Sequence, residues 1–70
     1  MSEKIRITVN GFSEYVPHGS TIVSLINIFN EYDKDLIVEI NRRFVYPQQY
    51  GNTVVSENDE IEFINPNLGG

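Results

Sequence analysis

The C-terminal residues contain the most distinctive chemical group of this 70-residue sequence. The segment Asn-Pro-Asn-Leu-Gly-Gly carries no charged side chain and ends on Gly69 and Gly70. Because glycine has no Cβ, a narrow channel in another protein can close around its backbone. Six extended residues span about 20 Å, enough to carry the carboxylate of Gly70 into a partner's active site. A frayed terminus is an equally good interpretation of the tail taken alone.

The other candidates for catalysis or metal binding lack the residues that would complete a site. His18 is the single histidine, it lies in a Pro-His-Gly turn, and cysteine is absent, so neither a nucleophile–base pair nor a Cys/His zinc site is predicted. Asp33 and Asp35 resemble the start of a calcium-binding loop. Val38 and Phe44, however, stand where such a loop requires glycine and glutamate. We therefore interpret this segment as an ordinary helix-to-strand connection.

Acidic side chains dominate the charge of the chain, with ten Asp and Glu against five Lys and Arg, a net charge of −5. This balance argues against nucleic-acid binding, which requires clustered basic residues, and Arg42-Arg43 is the only adjacent basic pair. The charge is consistent with a basic protein partner and equally with simple solubility. Acidic residues near the C-terminus alternate with apolar ones, which indicates that this acidic cluster is a solvated strand face rather than a catalytic carboxylate pair. That cluster consists of Glu57, Asp59, Glu60 and Glu62.

The elements that would hold the tail begin with a hairpin and a helix. Apolar and polar residues alternate over 5–9, Asn10-Gly11 favours a type I′ turn, and residues 12–16 return as a second strand. Ser20 and Thr21 are suitable helix N-caps. Apolar spacing over 22–29 predicts a helix of about three turns.

Three further short strands are predicted after the helix, over 36–40, 44–45 and 60–63, with a loop or 3₁₀ turn over 46–51. Residues 53–55 are expected to pair briefly. Inward positions follow from the alternation and the helical spacing. The predicted core consists of Ile5, Ile7, Val9, Val16, Ile22, Leu25, Ile26, Phe29, Leu36, Val38, Ile40, Val45, Ile61 and Phe63.

Runs of strands around one helix predict an α+β domain with the helix packed across one face of the sheet. We expect a mixed sheet of four to five strands in which the first and last strands are central and parallel. Residues 1–64 would form this domain, and residues 65–70 a flexible C-terminal tail. No apolar run approaches the roughly 18 residues of a membrane span, and the N-terminus has no apolar signal segment, so we expect a cytoplasmic protein.

The element order and the tail together resemble the ThiS/MoaD family of sulfur carriers, which have the ubiquitin-like β-grasp fold. The resemblance covers nearly the whole chain, and its compact length is closest to the thiamine-type ThiS. The most specific matching segments are Val38-Glu39-Ile40-Asn41-Arg42 with Phe44-Val45, then Pro47 and Tyr50, then residues 57–62, and Gly69-Gly70.

In that family a ThiF/MoeB-like enzyme uses ATP to adenylate the terminal glycine carboxylate, and a sulfur donor then displaces AMP to leave a thiocarboxylate. The resemblance implies that Gly70 carries the sulfur. It also implies that Gly69, Leu68, Asn67 and Pro66 enter the partner's active site, and that thiazole synthase or another enzyme accepts the sulfur. The protein would be a co-substrate rather than an enzyme, would bind no cofactor of its own, and would be a monomer when alone.

One departure from the family pattern leaves the sulfur acceptor open. Thiamine carriers often end in Ala-Gly-Gly or Gly-Gly-Gly, and molybdopterin carriers often have Pro-Pro shortly before Gly-Gly, whereas Asn-Pro-Asn-Leu precedes the pair here. We expect thiazole formation in thiamine biosynthesis. Synthesis of molybdenum or tungsten cofactor, or of cysteine or homocysteine, is the alternative. A ubiquitin-like modifier and a passive interaction module are the alternatives outside this class.

Two apolar residues have no evident partner in the predicted core. Ile64 falls on the same strand face as the neighbouring glutamates, and Leu68 lies in the tail. We expect both to contact the activating enzyme, with the acidic strand face adding electrostatic steering. Local packing under the tail is the alternative, and it is stronger for Ile64.

Overall fold

The computed structural model describes residues 3–67, which form a five-stranded mixed sheet and one α-helix. The sheet order is β2-β1-β5-β3-β4, and β1 and β5 are parallel neighbours. This is the predicted α+β arrangement, a β-grasp fold with its first and last strands inside the sheet. The elements are β1 (Lys4–Val9), β2 (Phe12–Pro17), α1 (Ile22–Ile28), β3 (Ile37–Ile40), β4 (Arg43–Val45), a 3₁₀ turn (Pro47–Gln49) and β5 (Glu60–Ile64).

In each antiparallel hairpin, β1–β2 and β3–β4, a two-residue turn connects the two strands. Positive φ angles occur at both central residues of each turn, 51° and 87° at Asn10 and Gly11, and 52° and 69° at Asn41 and Arg42. Such turns match the right-handed twist of the strands they join. Glycine adopts this conformation without strain, whereas a residue with a Cβ, such as Arg42, is strained by about 1–2 kcal/mol.

Helix α1 is shorter than the sequence predicts, with seven residues instead of about three turns. It begins at a capping box, in which the Thr21 hydroxyl accepts from the Ser24 N–H at 3.2 Å and the Ser24 hydroxyl accepts from the Thr21 N–H at 2.8 Å. It ends at Ile28, and two residues later the φ of 57° at Asn30 lets the Glu31 N–H donate to the Ile26 carbonyl at 2.9 Å. This is a Schellman motif, which satisfies carbonyls of the last turn and prevents a third turn.

The core lies between α1 and one face of the sheet. Ten of the fourteen predicted core residues are buried, while Ile26, Phe29, Leu36 and Ile40 are partly buried and pack against them. Val55 is buried as well and was not predicted. Its N–H donates to the Ser20 carbonyl at 2.9 Å, so the segment after the 3₁₀ turn is held against the start of the helix.

Two further features of this segment concern pairing and ionisation. An isolated bridge joins Val54 to Thr21, which confirms the brief pairing predicted for 53–55. Burial raises the pKa of the Tyr50 hydroxyl above its ordinary value.

Candidate functional site

The face of the sheet opposite α1 is formed by the residues that alternate with the buried ones. Because successive side chains on a strand point to opposite faces, the burial of Val38, Val45, Ile61 and Phe63 against the helix turns their neighbours outward. We call this surface the bare face. Its outward residues on β3, β4 and β5 are Ile37, Glu39, Phe44, Glu60, Glu62 and Ile64.

One part of the bare face is apolar. Ile64 lies opposite Ile37 across the β5–β3 pair, and 36% of Ile64 is exposed. The Phe44 ring contacts the Tyr46 ring edge-to-face at a centroid distance of 4.8 Å, although these residues are 50% and 63% exposed. We call Ile37, Phe44, Tyr46 and Ile64 the apolar strip. Ile64 therefore has a local packing partner and an exposed apolar surface as well.

Acidic residues border the apolar strip. Glu39 lies directly opposite Glu62 in the β3–β5 register, next to a surface depression of about 420 Å³. Arg42 and Glu60 also line this depression. Across residues 3–67, no three His, Asp or Glu side chains are grouped so that they could hold a metal ion. The arrangement is suited to contact with a protein surface that is partly apolar and partly basic.

Strand β5, which leads into the tail, is held by asparagines from both hairpin turns. The Asn10 side-chain oxygen accepts from the Phe63 N–H at 2.8 Å, and the Asn41 side-chain oxygen accepts from the Glu60 N–H at 2.9 Å. The amide group of Asn41 also donates to Asp59 at 3.0 Å. Asparagine at the first turn position predicts the positive φ angle, but the sequence does not indicate that its side chain reaches β5.

The described part of the tail lies beside the connection between α1 and β3. The Asn65 side-chain amide donates to the Glu31 carboxylate at 3.1 Å, and the Asn67 side-chain amide donates to the Asp35 carboxylate. Pro66 and Asn67 are exposed. The other residues with predicted roles in the tail, Leu68, Gly69 and Gly70, lie outside the described residues, so those roles remain predictions.

The side-chain candidates His18 and Asp33, which the sequence did not support, make local contacts in the structure. His18 is exposed, and its backbone N–H donates to the Glu3 carbonyl at 2.8 Å. The Asp33 carboxylate accepts from the Asp35 N–H at 2.9 Å, a local turn within the helix-to-strand connection. No helix in residues 3–67 is both long enough and apolar enough to cross a membrane.

The sequence matches the model of the ThiS family over residues 3–70. The chain belongs to the ThiS family. Its fold is similar to the crystal structure of a thiamine biosynthesis protein (ThiS) from Geobacter metallireducens, with a TM-score of 0.81 and 23% identity. The likeness covers 94% of this chain and 99% of that chain and concerns the fold. No curated protein sequence matches the chain.

Family membership confirms the resemblance seen in the sequence and identifies a ThiS-type sulfur carrier. ThiS-family proteins are small carriers rather than catalysts, and they interact with adenylating and sulfur-transfer enzymes.

Proposed function

We propose that this ThiS-family protein carries sulfur as a thiocarboxylate on Gly70 and donates it for thiazole formation in thiamine biosynthesis. The observation that carries the proposal is that the family match extends through the terminal Gly69-Gly70 pair. The structural neighbour, which is itself a thiamine biosynthesis protein, supports this choice of pathway. The reaction consumes ATP, which is consistent with a cytoplasmic location.

The proposed chemistry uses the main-chain carboxylate and needs no side chain of this protein. A carboxylate oxygen of Gly70 attacks the α-phosphate of ATP, and pyrophosphate leaves. The resulting acyl adenylate is a far better electrophile than a carboxylate. A sulfur nucleophile then attacks the acyl carbon, and AMP leaves with the carboxylate oxygen. The partner supplies the groups that bind ATP and stabilise these steps, because electrostatic stabilisation of a developing charge requires a preorganised site.

We further propose that the bare face docks on a ThiF/MoeB-like adenylating enzyme. The enzyme would present an apolar pocket for Ile64 and Phe44, bordered by Lys or Arg side chains opposite Glu39 and Glu62. The position of the apolar strip supports this assignment, because Ile64 is the last residue of β5 and the tail begins immediately after it. Gly70 is six residues further on, within about 20 Å along an extended chain. Leu68 would enter the same enzyme with the tail.

The test is to incubate the protein with its adenylating enzyme, ATP and sulfide, and to measure the intact mass and the mass of the C-terminal peptide. We expect an exchange of one oxygen for sulfur, located in that peptide. Deleting Gly70 places the carboxylate about 3.5 Å short of its position, and activation should collapse, since a misplacement near 1 Å already costs about 10²-fold. Folding of the truncated protein should be unchanged by circular dichroism.

Retention of the wild-type rate after deletion of Gly70 would contradict the proposal, as would the absence of any thiocarboxylate with the true partner. The acceptor is tested separately by mixing the thiocarboxylate with thiazole synthase. Sulfur transfer only to an enzyme of molybdenum or tungsten cofactor synthesis, or of cysteine or homocysteine synthesis, would move the carrier to that pathway. Isopeptide products on protein lysines would identify a ubiquitin-like modifier instead.

A further inference from the structure

The first residues of the tail are attached to the domain by side chains rather than by the sheet. Ile64, the last residue of β5, pairs with Ile37, the first residue of β3, and the backbone ladder stops at this pair. Pro66, two residues later, has no N–H to donate, so the ladder cannot resume at that residue. Past the end of the ladder, the side-chain amides of Asn65 and Asn67 donate to Glu31 and Asp35. We call these four side chains the tail clamp.

The tail clamp joins distant parts of the sequence. Asn65 and Glu31 are 34 residues apart, and Asn67 and Asp35 are 32 residues apart. Both acceptors are carboxylates, and hydrogen bonds to an ionised acceptor are stronger than those between neutral groups. Asn65 and its bond to Glu31 are partly buried. The clamp also uses the Asn-Pro-Asn segment, which is where this tail departs from the endings common among related carriers.

We propose that Asn65 and Asn67 are positioning residues that fix the direction in which the chain leaves the domain, so that Gly70 reaches the adenylating active site at a lower entropic cost. With the clamp formed, only Leu68, Gly69 and Gly70 extend beyond it, a reach of about 10 Å instead of about 20 Å from Ile64. A segment that is ordered before binding has less conformational freedom to lose on binding. The part of this inference that concerns activation depends on the proposed function, whereas the part that concerns the free protein does not.

The free protein tests the clamp directly, through backbone ¹⁵N heteronuclear NOE values. We expect Asn65 and Asn67 to have values close to those of β5 in the wild type. In the variant Asn65→Asp with Asn67→Asp, carboxylates would face Glu31 and Asp35, and the values at both positions should fall. The control is Gln48→Glu with Asn52→Asp, which adds the same two negative charges at exposed positions distant in sequence from the tail. Wild-type values at Asn67 as low as those of an unfolded chain would overturn the clamp whether or not the protein carries sulfur.

Activation kinetics test the positioning role. Asn67→Asp should raise the KM for the carrier by about 3- to 10-fold and leave kcat nearly unchanged, because preorganisation affects the cost of binding rather than the chemical step. Exchanging the two groups, Asn67→Asp together with Asp35→Asn, keeps the net charge and recreates the hydrogen bond with donor and acceptor reversed. This double variant should return KM to within about 2-fold of the wild type, a coupling that a double-mutant cycle measures.

Three kinetic results would overturn the positioning role. KM could remain at the wild-type value in Asn67→Asp, which would show that the clamp does not assist binding. KM could fall in that variant, which would show a restraint that opposes activation. The double variant could be as impaired as Asn67→Asp, which would show that the new charge itself, and not the lost bond, disturbs the partner's site. Absence of activation in the wild-type protein would contradict the proposed function and leave the NOE result to decide the clamp.

Discussion

The same strands form both faces of the sheet, but different physical effects account for the residues found on each face. On the face covered by α1, Ile7 and Val38 are 0% exposed and Ile61 is 2% exposed. On the bare face, Glu39 lies opposite Glu62, and Phe44 and Tyr46 are at least half exposed. Burial of apolar area explains the covered face, since each fully buried aliphatic side chain contributes about 1.5–3 kcal/mol.

The folding of the domain does not account for the bare face. Like charges that lie directly opposite each other on neighbouring strands are destabilising. An exposed pair of aromatic rings adds little to the stability of the domain and is typical of residues that anchor an interface. Positions where the sequence departs from the rules of folding are often functional. The difference between the faces thus separates residues that hold the domain together from residues available to a partner.

The largest effect is expected on the covered face, from Leu25→Ala. Leu25 is 0% exposed in α1, and truncation of a buried leucine costs about 2–5 kcal/mol of unfolding free energy. Urea denaturation followed by circular dichroism would measure it. The matched control is Val23→Ala on the same helix, where a 43% exposed side chain should change stability by less than about 1 kcal/mol. Equal losses in the two variants would contradict the assignment of the core.

An intermediate effect, on activation instead of stability, is expected on the bare face. Phe44→Ala and Ile64→Ala should each raise the KM for the carrier by about 10-fold, as truncation of an interface anchor does. Their unfolding free energies should fall by no more than about 1 kcal/mol. The control is Phe12→Ala, because Phe12 is 71% exposed on β2 at the opposite edge of the sheet from β4.

Thermal stability and activation should therefore respond in opposite ways on the two faces. A large drop in melting temperature with normal activation, in either Phe44→Ala or Ile64→Ala, would show that the apolar strip stabilises the domain and does not dock. Impaired activation in Phe12→Ala to the same degree would show that any exposed aromatic residue has this effect.

The smallest effect is expected at the turn beside the bare face. Arg42 has a φ of 69°, and glycine would relieve the strain of its Cβ, so Arg42→Gly should raise the unfolding free energy by about 1 kcal/mol. The opposite change in the other hairpin, Gly11→Ala, should lower it, because Gly11 has a φ of 87°. Urea midpoints of both variants would measure the pair. Loss of stability in Arg42→Gly would show that the side chain stabilises the turn by more than the strain costs.

Much of the covered face could be predicted from the sequence, for a local reason. Alternation over Ile5 to Val9 and the Asn10-Gly11 pair specify a hairpin within a few residues, and each signal lies inside the element it predicts. The central parallel pair β1–β5 is confirmed as well, but it joins the two ends of the domain and follows from the β-grasp resemblance rather than from a local signal. The terminal Gly69-Gly70 pair likewise carries its own signal.

The tertiary structure decided what depends on residues far apart in the chain. Val55 follows an irregular segment without periodicity, and it is buried in the core where its N–H donates to the Ser20 carbonyl. Helix α1 ends early because Asn30 adopts a positive φ angle, which asparagine permits but does not require. The contacts of Asn41 with β5 and of Asn67 with Asp35 join positions 19 and 32 residues apart, and no pattern within a short window can encode such a pairing. The sequence by itself therefore determined which polar and apolar side chains each element carries, and tertiary packing determined which of these side chains contact each other.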